Sequence, residues 1–274
     1  MRFAICNETF EGWPHDRVCR FTAETGFHGL EIAPFTLAAR ITDVSSDYRT
    51  ALRKQATDCG LTILGLHWLL AKTEGLQLTA PDATVRARTA AYIGELARCC
   101  SDLGGDILVF GSPAQRRIPS GSSHAQATDF ALDTLKRAMP EVHDAGVRFC
   151  LEPLAPPEAD FITTCAEGAA LLDALGSKAG WLHLDVRAMS SEAIPVPELI
   201  RRNASRIGHF HANDPNKRGP GFGQVDFVPV FQALKDIDYQ GWVSVEVFDY
   251  SPDPETIARE SLRYMRDCAA RVGL

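Results

Sequence analysis

The chain has 274 residues, 45% of them hydrophobic and 23% charged, with a formal net charge of −7. That length suits one or two domains and also matches the roughly 250 residues of one α/β barrel; the composition can bury a large core and carries no signature of disorder. Gripping a phosphate backbone needs clustered Lys and Arg, so no nucleic-acid partner is expected, and a small neutral or metal-bridged substrate fits better.

The opening residues Met1 to Asn7 soon turn polar, without the apolar stretch and cleavage site of a signal peptide, and no run reaches the length of a membrane span. Eight cysteines without C-x-x-C spacing read as buried reduced thiols. A cytoplasmic protein without a membrane partner is the expectation, and self-association into a homo-oligomer is compatible with it.

In chain order, short apolar runs at Phe3–Cys6, Gly29–Ile32 and Ile63–Leu66 precede a helical stretch, Thr84–Leu103. The run Ile107–Phe110 leads to helix Asp129–Ala145, and Arg148–Leu151 leads to helix Ala166–Leu175. Runs Trp181–Leu184 and Ile207–Phe210, helix Val228–Ile237, run Trp242–Val245 and helix Pro254–Val272 complete the chain. Glycines that would end a helix stand before several runs, at Gly60, Gly105, Gly146, Gly180 and Gly241. The stretch Ser120 to Ser123 reads as a loop, and Arg116-Arg117 and Arg201-Arg202 read as solvated surface.

Apolar runs alternating with amphipathic stretches make βα units and a parallel sheet. An open doubly wound sheet would carry a Gly-rich phosphate turn after its first strand, whereas this chain continues into Asn7-Glu8-Thr9-Phe10-Glu11. The favoured fold is α/β, a single (β/α)8 TIM barrel over residues 1–274.

In such a barrel the strand C-termini share one mouth, where active sites are built. Four successive runs end in Glu152, Asp185, His211 and Glu246, while Glu31 and His67-Trp68 hold the matching places on the second and third. A lone strand-end carboxylate is more often a capping group. Three buried together would cost several kcal/mol in desolvation and repulsion unless a cation neutralised them. Carboxylates with one imidazole make a hard site, so the expected cofactor is one divalent ion, Mn²⁺ first, with Mg²⁺ or Co²⁺ as alternatives. His209, two residues before His211, should face the same way one layer deeper. Phe10, Trp13 and Phe35 would shape the apolar side of the mouth. The Gly111 to Arg116 loop could meet substrate through its backbone or, at Arg116, an anion.

These residues resemble the xylose-isomerase-like barrels, and within them the ketose 3-epimerases of the tagatose and psicose 3-epimerase type. The resemblance spans nearly the whole chain and is strongest from Phe149 to Phe248, where Leu-Glu-Pro-Leu, His-Leu-Asp-Val, His-Phe-His-Ala-Asn-Asp and Val-Glu-Val-Phe occur in the family's order. It implies that Glu152, Asp185, His211 and Glu246 hold the metal and that Glu152 and Glu246 are the acid/base pair. It also implies a substrate-supporting Glu158 and a glycine-rich segment, Gly219 to Phe227, walling the pocket. The implied chemistry is proton abstraction beside a carbonyl through a metal-bound enediolate, then reprotonation. His67, Trp68, Arg187, Lys217 and Glu31 are the further substrate-binding expectations. Where the family usually has a histidine, this chain has Ala188, and Lys217 stands near a family arginine; Arg187 would suit a carboxylate or phosphate.

The leading expectation is thus a metal-dependent isomerase or epimerase of a sugar or sugar derivative. A lyase or dehydratase on a keto-sugar or related hydroxy-keto acid shares the enolate step. An abasic-site endonuclease of the same superfamily is disfavoured by the acidic charge and the sparse histidines, and a non-catalytic sugar binder would have little use for paired carboxylates on a metal.

Overall fold

Each strand turns alternate side chains to opposite faces, and both faces are buried, one in the barrel bore and the other under helices. In a computed structural model describing residues 1–274, the strands are β1 (Arg2–Cys6), β2 (Gly29–Ile32), β3 (Thr62–Leu66) and β4 (Ile107–Phe110). They are followed by β5 (Arg148–Leu151), β6 (Gly180–Asp185), β7 (Ile207–Ala212) and β8 (Trp242–Val245). Each pairs in parallel with its successor, and β8 pairs with β1 to close an eight-stranded barrel.

The helices are α1 (His15–Thr25), α2 (Ser46–Asp58), α3 (Ala83–Leu103), α4 (His124–Asp144) and α5 (Cys165–Leu175). After them come α6 (Val186–Met189), α7 (Val196–Arg202), α8 (Phe227–Asp236) and α9 (Pro254–Arg271). The expected strands agree within two residues at their ends. The turns before β4, β6 and β8 depart from expectation: Gly104 (φ 89) and Gly176 (φ 66), not Gly105 and Gly180, take the left-handed backbone that caps α3 and α5, and Gly241 does not take it, whereas Gly60 (φ 76) and Gly146 (φ 71) do so as expected. Ser123 makes a capping box with Gln126 and starts α4, so the Ser120 to Ser123 stretch is the lead-in to a helix.

Outward residues such as Leu108, Phe110, Phe149 and Leu151 join the main apolar core between strands and helices. Their neighbours Ile107, Val109 and Cys150 pack with Ala4, Leu64 and Trp242 in a second, smaller cluster that plugs the bore. Two residues further along β6, β7 and β8, inward positions become polar: His183, His209 and Ser244, then Asp185, His211 and Glu246. A register shift in the β6–β7 ladder aligns His183 with His209 and Asp185 with His211. The polar layer therefore rests on a packed floor. No helix is long and apolar enough to cross a membrane.

Candidate active site

Glu152, Asp185, His211 and Glu246 lie at the C-terminal ends of β5 to β8, none more than 5% exposed. Ligand atoms of Asp185, His211 and Glu246 fall within 4.8 Å of one another, as do those of Glu152, His183 and Asp185. Asp185 is the shared member. Its position is fixed on both sides, because Oδ1 accepts from the Ala188 amide at 2.7 Å, capping α6, and Oδ2 accepts from Asn213 Nδ2 at 2.6 Å. Glu152 needs Gly111 beside it: a Cβ at 111 would run into Glu152 Oε2.

His211 presents Nδ1 to Glu246 at 3.2 Å and Nε2 to Glu31 at 3.1 Å. His67 bridges Glu246 (3.0 Å) and Glu8 (2.8 Å). Burial pushes the Glu152 carboxyl well above its ordinary range, and the charges of Glu246 and Asp185 push it further. Burial and Glu246 likewise push Asp185 up to about 6. Burial also acts to raise Glu246, but His211 and His67 outweigh it and hold that carboxyl at about 2. Burial disfavours the charged imidazoles, yet Glu31 and Glu246 hold His211 well above its ordinary value, and Cys6, Glu8 and Glu246 do the same for His67.

This donor set fits a divalent cation. Three carboxylates and an imidazole converge out of water, and two of the carboxyls are pushed toward protonation by burial and by neighbouring carboxylates, whose charge a cation would offset. His211 aims one nitrogen into the cluster while its other faces a buried carboxylate, the arrangement that orients a metal-ligating imidazole.

Glu158, Trp68, Arg187 and Lys217 line one cavity of about 190 Å³ with Glu152 and Glu246. Trp68 (φ 53) and Lys217 (φ 71) both hold the left-handed backbone that non-glycine residues rarely adopt, a strain that tends to collect at functional sites. Arg187 forms a bidentate pair with Glu158 and lies 5.2 Å over the Phe248 ring. The carboxylate that Arg187 suits is thus supplied by the protein.

Two expected substrate contacts are placed elsewhere. Glu31 is fully buried, accepts from His209 (2.9 Å) as well as His211, and does not line this cavity. His67 is also fully buried, tied at both nitrogens to carboxylates. Arg116, read as surface, is fully buried: its guanidinium donates to the Glu152 and Phe110 carbonyls, and burial lowers it to about 10. It anchors the strand end that carries Glu152. The segment Gly219 to Phe227 packs against Ser261 and Tyr264 of α9, with Asp214 accepting from the Gly223 and Val225 amides, and does not line this cavity.

Sequence reasoning missed Glu8, Asn213 and His183. Glu8 follows β1 in a short 3₁₀ turn, Asn213 stands two residues after His211, and His183 stands two before Asp185. The spacing of two in a strand was a usable signal for the last two. Glu8 had none.

The sequence profile described as xylose isomerase-like TIM barrel matches residues 19–268. A D-psicose 3-epimerase of Agrobacterium fabrum (strain C58 / ATCC 33970) is 29% identical over 246 residues, 86% of this chain and 82% of that protein. An L-ribulose 3-epimerase of Mesorhizobium japonicum (strain LMG 29417 / CECT 9101 / MAFF 303099) is 27% identical over 250 residues, 90% and 80% of the two chains. The crystal structure of a D-psicose 3-epimerase in the presence of D-fructose superposes with a TM-score of 0.86 at 23% identity, covering 98% of this chain and 99% of that one, a likeness of fold.

Proposed function

The chain belongs to the xylose isomerase-like TIM barrel family, and on that premise we propose that it is a divalent-metal-dependent epimerase or isomerase acting beside the carbonyl of a keto-sugar or sugar derivative. Relatives named as sugar 3-epimerases over four fifths or more of both chains support an enzyme of sugar isomerisation. The observation that carries the reading is the pairing of Glu152 with Glu246. Both carboxyls line one small cavity from strands three places apart round the barrel, and their surroundings push them in opposite senses.

Glu152, Asp185, His211 and Glu246 would hold the cation, Mn²⁺ being the preferred ion. When bound, the ion would polarise the carbonyl and offset the negative charge that develops on its oxygen. Glu246, kept ionised by His67 and His211, is the base that takes the proton from the carbon beside the carbonyl. The electron pair of the broken C–H bond moves into an enediolate. Glu152, across the cavity from Glu246, returns a proton to the opposite face, giving the epimer. Run in reverse, the two exchange roles. Trp68 and Phe248 keep water away from the reacting face, and the Arg187–Glu158 pair offers donors and acceptors to hydroxyls.

We take residues 1–274 as one barrel domain of a cytoplasmic protein, a reading supported by eight free thiols, seven of them buried. Incubating the Mn²⁺-loaded protein with a ketose panel in deuterated water tests the reaction. Deuterium at the carbon beside the carbonyl, with an epimeric product of unchanged skeleton, is expected. Loss of water would favour the dehydratase alternative, and no exchange from any ketose would refute both.

A further inference from the structure

The inner cavity of about 190 Å³ is smaller than the roughly 300–1,000 Å³ usual for a ligand site. Beside it, sharing Trp68 as a common wall, lies a second cavity of about 650 Å³ between the loops that follow β1, β2 and β3. Its walls carry Phe10, Trp13, Phe35, Tyr48, Trp68 and Tyr250. Phe35 and Trp68 pack edge to face at 5.5 Å, and Trp68 does the same with Phe248 of the inner cavity at 5.6 Å. The aromatic surface therefore runs without a break from one cavity to the other.

Its polar groups suit hydroxyls better than an anion. Glu8 and Glu11 line it, and its one lysine, Lys72, lies 4.2 Å over the Phe35 ring. Glu8 is 4% exposed; Oε2 receives the His67 contact, while Oε1 has no partner in the protein. Aromatic faces with a few carboxylate acceptors are the chemistry of a sugar ring, whose apolar C–H face stacks while its rim hydrogen-bonds.

We propose that the outer cavity is a subsite for an attached sugar ring, so that the preferred substrate is a glycosylated keto-sugar whose keto unit, in its open-chain form, sits over Glu152 and Glu246 while the attached ring stacks on the outer aromatic walls. This rests on the keto-sugar reading above. It adds that Phe35, Tyr48 and Trp68 set specificity for the length of the substrate.

The test compares D-fructose with keto-disaccharides built on it, such as lactulose and palatinose, by deuterium exchange in the Mn²⁺-loaded protein. One or more of the disaccharides should exceed fructose by about tenfold in kcat/KM. Phe35→Ala and Tyr48→Ala should erode that ratio, lowering disaccharide kcat/KM about tenfold more than that of fructose. Tyr48 is 45% exposed, so its truncation leaves the fold in place. Fructose exchanging as well as every disaccharide, with the two variants lowering all sugars alike, overturns the subsite and leaves the keto-sugar reading standing. Binding of the same sugars, followed by tryptophan fluorescence, separates the two claims where no sugar exchanges. Saturable disaccharide binding weakened in Phe35→Ala keeps the subsite and sinks the reaction, while no such binding sinks the subsite. A dimer that dissociates in both variants would show the cavity to be a contact between two copies and would also overturn it.

Discussion

Replacing Glu31 by Gln removes one charge from the buried layer beneath the candidate cation site and changes almost nothing in volume. Glu31 accepts from His209 at 2.9 Å and His211 at 3.1 Å through the same oxygen, Oε2, and is wholly buried. Hydrogen bonds to a charged group contribute about 1.5–3 kcal/mol each, against about 1 kcal/mol for neutral pairs. The amide keeps one acceptor oxygen but loses the charge that fixes the His211 ring and raises its basicity. Losing such a supporting group typically weakens metal binding by about 10–100-fold, or roughly 1.4–2.7 kcal/mol. Calorimetric titration of Mn²⁺ into metal-free wild-type and Glu31→Gln protein reads this directly. Because bound ligand stabilises the native state, the rise in Tm on adding Mn²⁺ should shrink in parallel. Wild-type Mn²⁺ affinity in a folded variant with a raised substrate KM would refute the reasoning and return Glu31 to the substrate-binding role its strand-end position suggests.

Further outcomes follow from the same geometry. Gly111→Ala should fold yet lose about 100-fold or more in kcat, because the new methyl group displaces the Glu152 carboxylate from its place; a steady-state assay on a variant with native circular dichroism checks this. Arg116→Met should destabilise by about 1–3 kcal/mol in urea unfolding, since it strands the buried Glu152 carbonyl and leaves the Phe110 carbonyl with the Glu152 amide alone. In the metal-free protein, Asp185 is pushed up to about 6 in the folded state, so its favourable contribution is present below the unfolded value near 3.8 and is lost as pH rises through about 6. Protons and cation compete for that carboxyl. The Mn²⁺-induced rise in Tm should therefore be larger at pH 7.5 than at pH 5, and an equal rise at both would contradict the assignment.

Much of this was legible in the chain because strands and mouth residues report themselves by a period of two. The runs ending in Glu152, Asp185, His211 and Glu246 place one polar group per strand at the same height, and no surface role explains four in register. The polar helix α2 was harder to read, since Leu52 and Ala56 are its only buried residues and its amphipathic signal is weak. Arg116 was misread for a different reason. An Arg-Arg pair in a loop after a strand normally stays in water, and only the convergence of two carbonyls from neighbouring strands makes a buried site for one of them. Glu31 and His67 were correctly placed at strand ends, but whether such a residue meets substrate or a neighbouring side chain depends on the barrel's shear and on which partners lie across the bore. Glu8 lies in a turn with no period at all, and its contact with His67 exists only because β1 and β3 close round the same mouth.

The account turns on one cation held by four strand ends, and anomalous diffraction from crystals soaked in Mn²⁺ tests it most directly. The account predicts a single strong peak enclosed by Glu152, Asp185, His211 and Glu246, weakened or absent in Glu246→Gln crystals. A peak seated instead among His183, His209 and Glu31, or none in a folded protein at saturating Mn²⁺, would contradict it.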